Sequence, residues 1–380
     1  MRRFKKSILS LALIAVASIS CERQMIYDPE YLTANIPIVI DWSESMVDED
    51  YINNVSVYFY PEDGSEPVVI YSEDPYFVTA NLHEGKYDIV IHNEIEGNIL
   101  GVDCASSESF SDYKMTIQQD DVSNYDMFYE QTTDEQLIKE SEAIGAWSYE
   151  SFEVTKDMIV YTRTRTFEDL IVSLRSKAQE QSTKSSSDDV IDDMMRSIAE
   201  VLDSSDPETR SVTRSLDDLN GVKPQPRTAA YKVLIDIENL NNIQYIEGVI
   251  DGFVDGVEVV SGGKIESEAA NFTYMQMSDH TFNEGSTTDG TMTYSLTNFG
   301  HLNAVGEKYT LTVNIIIHSG EKFSETFDVT DQINSYSANE IIEIRIGYKY
   351  DNGTPDIVLP ENQDAGFGVD GWGDAENVEL

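Results

Sequence analysis

The residue with the clearest chemistry in this sequence is Cys21, which stands directly after a basic and apolar leader. The chain opens with MRRFKK and continues as SILSLALIAVASIS up to the small residue Ser20. A basic segment, a short apolar run and small residues before a cut are typical of a secretory signal peptide. The apolar run is shorter than the roughly 20 residues that a membrane-spanning helix needs. We therefore expect residues 1–20 to be removed and the Cys21 thiol to carry a lipid.

Lipid on Cys21 would make the protein a membrane-anchored lipoprotein. A diacylglycerol on the thiol and a further acyl chain on the new amino terminus would anchor it stably, because two or more chains are enough. The position three residues before the cysteine holds Ser18 where Leu or Val is usual. The alternative is an ordinary secretory signal after which Cys21 is incidental. The residues that follow, Glu22 to Gln24, do not indicate which face of the membrane the protein decorates.

The histidines show no catalytic or metal-binding spacing. They are His83, His92, His280, His301 and His318, and none belongs to an HExxH motif or another pair at helical spacing. No GxSxG elbow, phosphate-binding loop or GxGxxG motif opening a helix is present. The SGGK segment at 261–264 follows a strand pattern without a helix pattern after it, which predicts a hairpin turn. We therefore predict no catalytic residue and no cofactor.

Cysteine and acidic residues offer little more chemistry. Once Cys21 is lipidated, Cys104 is the one cysteine left, which excludes an intrachain disulfide framework and predicts a buried apolar role for Cys104. Two acidic groups could supply the oxygen ligands that calcium prefers. They are Asp251, Asp255 and Glu258 in DGFVDGVE, and Asp351, Asn352 and Asp356 in DNGTPD. Neither has the spacing of an EF-hand loop, and a chain with 70 acidic residues forms such groups by chance. The sequence predicts no metal site, with calcium as the alternative.

The charge of the chain excludes one class of partner. The formal net charge is −45, and removal of the four basic residues in 1–20 would leave −49. So acidic a protein repels nucleic acid and anionic lipid surfaces. Its 40% hydrophobic content, with 21 Tyr and 14 Phe, supports packed cores rather than disorder.

Alternating residues in the first half predict an antiparallel β-sandwich over 34–165, after a tether at 21–33. The PEDG segment at 61–64 predicts a turn in which Gly64 adopts a positive φ. The strand-like segments place alternate residues on one face: Ile36, Ile38 and Ile40 in IPIVID; Val55, Val57 and Phe59 against Ser56, Tyr58 and Tyr60 in VSVYFY; and Tyr87, Ile89 and Ile91 in LHEGKYDIVIHN.

The second half repeats the strand pattern after a polar insertion at 166–228. The stretch from Ser176 to Arg227 is rich in Ser, Asp, Glu and Lys. A short amphipathic helix is predicted within it from the helical spacing of Val190, Met194, Ile198 and Val201. From residue 229 to 350, segments such as YKVLIDIENL, with Val233, Ile235 and Ile237 alternating, predict a second sandwich. Residues 351–380 form an acidic tail. The predicted fold class is all-β, two tandem antiparallel β-sandwich domains with a polar, partly helical insertion.

Several segments in order resemble the fimbrillin-like lipoproteins, the anchor subunits of short and major fimbriae and their relatives. The similar segments are SCERQMIYDPE, IDW at 40–42, VSVYFYPEDG, the Leu82, Gly85, Tyr87, Ile89 pattern, PRTAAYKVLIDIENLNNI with IEGVIDGF, and the closing VLPENQDAGFGVDGWGDAENVEL. The resemblance that they mark extends over about three-quarters of the chain. The polar insertion at 176–223 departs from the family pattern.

The resemblance implies two transthyretin-like sandwiches on an outer-membrane lipid anchor at the base of a fibre. Polymerising relatives lose an amino-terminal strand at an Arg-directed cut, and a strand of the next subunit fills the groove. Residues 32–41 contain no Arg, which agrees with an uncut anchor or accessory subunit. The tail, with Phe367 and Trp372, is either a donated segment or a frayed end.

Two functions are therefore expected, and both are non-catalytic. The first is a lipid-anchored protein of the cell outer membrane that anchors or helps assemble a fimbria-like surface fibre by pairing β-strands with a partner subunit. The alternative is a glycan-binding surface lipoprotein of a polysaccharide-utilisation system. That function needs exposed aromatic side chains, for which Trp42, Tyr58 and Tyr60 are the candidates.

Overall fold

The computed structural model describes residues 32–48, 51–94, 98–125, 129–162, 216–302, 306–337, 340–347 and 357–361. The strands of these ranges are β1 (Thr33–Ile40), β2 (Val55–Pro61), β3 (Val68–Ser72), β4 (Phe77–His83), β5 (Gly85–Asn93), β6 (Val102–Ala105), β7 (Lys114–Ile117), β8 (Glu135–Leu137), β9 (Gly145–Val154), β10 (Asn220–Val222), β11 (Gln225–Pro226), β12 (Ala229–Glu238), β13 (Ile243–Phe253), β14 (Gly256–Glu258), β15 (Lys264–Ile265), β16 (Ala270–Gln276), β17 (Asp279–Phe282), β18 (Gly290–Asn298), β19 (Thr310–Ile317), β20 (Lys322–Asp328), β21 (Ile342–Ile346) and β22 (Ile357–Val358). The α-helices are α1 (Lys156–Thr162) and α2 (Thr330–Asn334), and 3-10 turns span Trp42–Glu44, Val122–Asn124 and Leu240–Asn242.

A first sandwich forms from two facing sheets. One has the strand order β10-β1-β4, and the other has the order β11-β9-β5-β2-β3. The predicted inward faces are confirmed, since Ile36 and Ile38 from β1 share one core with Val57 from β2 and Ile89 from β5. The predicted turn is confirmed as well, because Gly64 has a φ of 78° and its N–H donates to the Pro61 carbonyl.

A second sandwich uses the strands after residue 228. One sheet has the order β17-β18-β12-β21, with β22 also paired to β12, and the other has the order β20-β19-β13-β16-β8. Val233, Ile235 and Ile237 of β12 share a face as predicted, and they lie in one core with Ile246 and Ile250 of β13. Because successive side chains of a strand point to opposite faces, this period-two pattern is enough to direct each strand's apolar face inward.

The segment between β5 and β9 connects the two sandwiches. Strands β7 and β14 pair within a small sheet of order β15-β14-β7-β6, and β8 pairs with β16 in parallel. Strands β6, β7 and β8 fall within the stretch predicted as the first sandwich, yet β7 and β8 pair with strands from beyond residue 250. Residues 220–226, predicted as linker, form β10 and β11 beside β1 and β9. The predicted division into domains stays a prediction.

The predicted all-β class is confirmed. Most strand pairs are antiparallel, as expected, but the described residues also contain the parallel pairs β1–β10, β12–β21, β12–β22 and β16–β8. Ile357–Val358, in the predicted tail, pairs with Ile237–Glu238. The predicted helix at 190–201, and the tail residues Phe367 and Trp372, lie outside the described residues.

Candidate functional site

The described element nearest to the predicted anchor is β1, which begins 12 residues after Cys21. Cys21 itself lies outside the described residues. Strand β1 lies between two neighbours: it pairs antiparallel with β4 from Thr33↔His83 to Val39↔Phe77, and parallel with β10 at its far end. The Val39 N–H donates to the Leu219 carbonyl at 3.0 Å. The inward residues of β1 are fully buried: Ala34, Ile36, Ile38 and Ile40.

The residues after β1 secure its far end. Trp42 is buried, and its indole Nε1 donates to the Pro75 carbonyl at 2.9 Å. The Lys223 Nζ, which follows β10, lies 2.8 Å from Glu44 Oε1 and 3.7 Å from Asp41 Oδ2. The hydrogen bond between Lys223 and Glu44 raises the pKa of the lysine amine and lowers the pKa of the carboxyl group. The end of β1 therefore contacts residues from the last part of the predicted insertion at 166–228.

The aromatic residues proposed for glycan binding are core residues. Trp42 is 2% exposed, Tyr58 is 1% exposed and Tyr60 is 6% exposed. The Tyr58 ring lies 5.3 Å from the Tyr113 ring, and the Tyr60 hydroxyl donates to the Ser107 carbonyl at 2.9 Å. Both faces of β2 are buried, because the segment between β5 and β9 covers the Tyr face. None of the three side chains can form a platform for a sugar.

The two buried histidines are structural. His92 Nε2 lies 2.8 Å from the Tyr113 hydroxyl, and its Nδ1 lies 2.8 Å from the Asn93 carbonyl. His301 Nε2 lies 2.8 Å from the Asp251 carbonyl, so this nitrogen donates, and Nδ1 accepts from Tyr231 at 2.7 Å. Burial lowers the pKa of His301 to about 3, so its ring is neutral at physiological pH. Both nitrogens of each ring already have a protein partner.

The other three histidines lie apart from each other. His83, His280 and His318 are exposed or half-buried, in separate strands or turns. In the part of the chain that the structure describes, no three His, Cys, Asp or Glu side chains are placed to hold a metal ion.

The first acidic group predicted as a calcium alternative is divided among separate partners. Asp251 accepts hydrogen bonds from the Thr310 backbone N–H and hydroxyl, and burial raises the pKa of its carboxyl group. Asp255 accepts from the Asn271 amide at 2.7 Å, and Glu258 accepts from Ser261 at 2.8 Å. The second group, Asp351, Asn352 and Asp356, lies outside the described residues.

The SGGK segment forms the predicted hairpin turn. The Gly262 N–H donates to the Glu258 carbonyl, the Glu258 N–H donates to the Gly263 carbonyl, and Gly262 has a φ of 70°. This turn joins β14 to β15, which pair in the small sheet. No anion-binding role is needed to explain its glycines.

The sheet edges are a second possible interaction site, and the sequence predicted edge pairing without identifying an edge. The five-stranded sheet of the first sandwich ends at β3, whose one partner strand among the described residues is β2, from Val68↔Phe59 to Ser72↔Val55. Val68 is 38% exposed and Tyr71 is 51% exposed. In the sequence, the uncharged run VVIYS was the one feature that could have indicated an interaction site. Its position at a sheet edge depends on pairing between strands, which the run itself does not show.

The helices in the described ranges are too short or too polar to cross a lipid bilayer. Several solved structures are similar to the chain. One is a candidate adhesin from Bacteroides ovatus, with 13% identity, a TM-score of 0.49, and coverage of 90% of this chain and 98% of that one. Another is a candidate adhesin from Bacteroides thetaiotaomicron, with 8% identity, a TM-score of 0.43, and coverage of 82% and 90%. A third is a fimbrial assembly protein from Parabacteroides distasonis, with 10% identity, a TM-score of 0.28, and coverage of 82% and 90%.

With TM-scores below 0.5, these structures do not establish the role of this chain. No curated protein matches the sequence. The resemblance to the fimbrillin-like lipoproteins stays a prediction. A family model described as a domain of unknown function, DUF5119, matches residues 20–274. That match spans more than half of the sequence, so the chain belongs to the DUF5119 family.

Proposed function

We propose that this protein is a non-catalytic lipoprotein of the cell outer membrane, anchored by lipid on Cys21, that holds or helps assemble a fimbria-like surface fibre. The partner subunit would bind by β-strand pairing, which gives affinity through main-chain hydrogen bonds. The acidic charge of the chain, −45, disfavours nucleic acid as a partner.

The observation that supports an anchoring role is the position of β1. A load on lipid at Cys21 would reach the folded protein through residues 22–32 and then through β1. Strand β1 pairs with β4 along its length and with β10 at its far end, and Ile36, Ile38 and Ile40 are fully buried. Burial of one such side chain is worth about 1.5–3 kcal/mol, so exposing the three would cost roughly 5–9 kcal/mol. A tether attached to this strand is therefore attached to the core.

Two further observations support the proposal. Residues 32–41 contain no Arg, so an Arg-directed cut would not remove β1. Other protein groups already occupy the ring nitrogens of His92 and His301 and the carboxylate of Asp251. No observation favours the glycan-binding alternative, since its aromatic candidates are buried.

Cell fractionation tests the anchor. Cys21→Ala should release the protein from the membrane fraction and abolish incorporation of a labelled fatty acid. Cys104→Ala is the matched control, because Cys104 is the other cysteine of the chain and should leave both readouts unchanged. If Cys21→Ala still sediments with the membrane and carries label, the anchor proposal is wrong.

Affinity capture tests the fibre role. When the lipidated protein is captured from solubilised outer membrane, a fibre subunit should be captured with it. Cells that carry Cys21→Ala should release the same subunit into the medium. Surface fibres that stay cell-attached at wild-type length in a deletion strain would overturn this part of the proposal.

A further inference from the structure

Most sheet edges in the described ranges carry charged residues, which hinder the addition of a foreign strand. The charged residues of these edge strands are Lys322, Glu325 and Asp328 in β20, Asp279 in β17, Glu343 and Arg345 in β21, Asp103 in β6, Lys264 in β15 and Glu135 in β8. Strand β3, with the sequence VVIYS, carries none. Strand β4 is also uncharged apart from His83, but its apolar residues Val78, Ala80 and Leu82 are buried. The other uncharged edge strands in the described ranges, β10, β11 and β22, are only two or three residues long.

Strand β3 exposes apolar surface together with an open edge. Val69 packs against the core shared with the second sandwich, and Ile70 packs against the core of the first sandwich. Both residues are half-buried rather than buried, and Val68 and Tyr71 are exposed. A strand added beside β3 would therefore form ladder hydrogen bonds and would cover apolar side chains on both faces of the sheet.

The part of the sequence that contains β3 carries charge of one sign. The sequence contains no Lys or Arg from residue 24 to residue 85, the stretch that forms β1 to β4, but it contains 13 Asp and Glu there. Glu66 precedes β3, and Glu73 and Asp74 follow it. Glu66 and Glu73 are exposed. Both ends of the open edge are therefore acidic, whichever direction an added strand runs.

From this geometry we propose that the β3 edge binds an extended segment of a partner protein, with β-branched or aromatic residues at its centre and Lys or Arg at both ends. The inference rests on the proposed function, because it describes the chemistry of the subunit that the anchor holds. The apolar centre would pair with Val68–Ser72, and the basic ends would lie against Glu66 and Glu73.

A second copy of this chain is a poor occupant of the same edge. Antiparallel pairing of two β3 strands about Ile70 would place Glu66 of each copy opposite Asp74 of the other. Like charges directly opposite each other destabilise a strand pair. Parallel pairing would bring the same acidic residues together. The edge thus selects against self-association and favours a basic partner.

A pair of synthetic peptides tests the proposal on the full mature chain carrying Cys21→Ser. The probe is Lys-Lys-Val-Thr-Val-Tyr-Val-Lys-Lys, and the control peptide replaces its four lysines by glutamates. We expect the lysine peptide to bind about tenfold or more tightly than the glutamate peptide in low salt, and less so in high salt. Binding should slow amide hydrogen exchange in residues 68–72. A lysine peptide with alternate backbone amides methylated should not bind, since it cannot form the ladder.

Charge reversal provides the matched variants. Glu66→Lys combined with Glu73→Lys should invert the preference, so that the glutamate peptide binds more tightly. Glu321→Lys combined with Glu325→Lys makes the same charge change at the exposed edge strand β20 and should leave the preference for lysine intact.

Three results would each overturn the inference: no peptide binding, equal binding of both peptides to the wild-type edge, or exchange protection elsewhere than in β3. None of them would affect release of Cys21→Ala from the membrane. Conversely, if the peptide binds and Cys21→Ala still sediments with the membrane, the proposal for the β3 edge stands and the proposal of a lipid anchor is wrong.

Discussion

Arg345 of β21 binds Asp236 of β12 through its guanidinium group, with Nη2 2.8 Å from Oδ2 and Nε 3.1 Å from the same oxygen. The Asp236 side chain is 5% exposed and the Arg345 side chain is 17% exposed. The hydroxyl of Thr291 also donates to this carboxylate. The pair therefore joins three strands, β21, β12 and β18, on the outer face of the second sandwich.

Breaking this pair should destabilise the protein strongly. Arg345→Met leaves the buried Asp236 carboxylate without its countercharge, and removal of one partner of a buried pair costs about 3–5 kcal/mol. The midpoint of urea unfolding should fall accordingly. Lys223→Ala, at the exposed pair with Glu44, is the control and should leave the midpoint nearly unchanged because water screens that pair. Equal shifts of the urea midpoint in the two variants would contradict a stabilising role of the Arg345–Asp236 pair.

His301 should make the protein less stable as the pH falls. Burial lowers its pKa to about 3 in the folded state, whereas an unfolded histidine titrates near 6.5. Between these values the unfolded chain binds the extra proton, so the free energy of unfolding decreases as the pH drops below about 6.5. The contribution is fully present above that pH, and the slope approaches about 1.4 kcal/mol per pH unit.

Urea unfolding at pH 7 and pH 5 measures this contribution. In the wild type, the free energy of unfolding should be lower at pH 5 than at pH 7, and His301→Gln should make this difference smaller. The half-buried His280→Gln should retain the wild-type difference. If His301→Gln also retains it, burial of the neutral ring is not what causes the acid sensitivity.

Gly256→Ala tests the pairing between the middle segment and the second sandwich. A Cβ at this position would lie 2.1 Å from the Met115 carbonyl oxygen, in the pair of β14 with β7. The two strands would have to separate, at a cost of roughly 1–3 kcal/mol. Hydrogen exchange at residues 114–117 should speed up. Glu266→Ala, at an exposed site beside β15, should change neither the stability of the protein nor the exchange rate at residues 114–117. Fast exchange at these residues in both variants would argue against the pairing of β14 with β7.

Several local features could be predicted from the sequence because they depend on neighbours in the chain. Alternation placed Ile36, Ile38 and Ile40 on one buried face, and Pro61 with Gly64 predicted the turn. The sequence did not show that Tyr58 and Tyr60 are buried, and the cause is equally simple. Alternating Val and Tyr suggested one apolar face and one exposed aromatic face, but the segment with Tyr113 covers the second face.

The sequence by itself determined the all-β class, the inward faces of the strands, the turns and the acidic charge, since each follows from residue type and a period of two. It also supplied the case for lipid on Cys21. Only the tertiary structure decided that β7 and β8 pair with strands more than 100 residues away, that β1 lies inside a sheet, and that the uncharged β3 lies at an edge. The physical reason is that strand partners are chosen by packing and register between distant segments, for which a single strand carries no local signal.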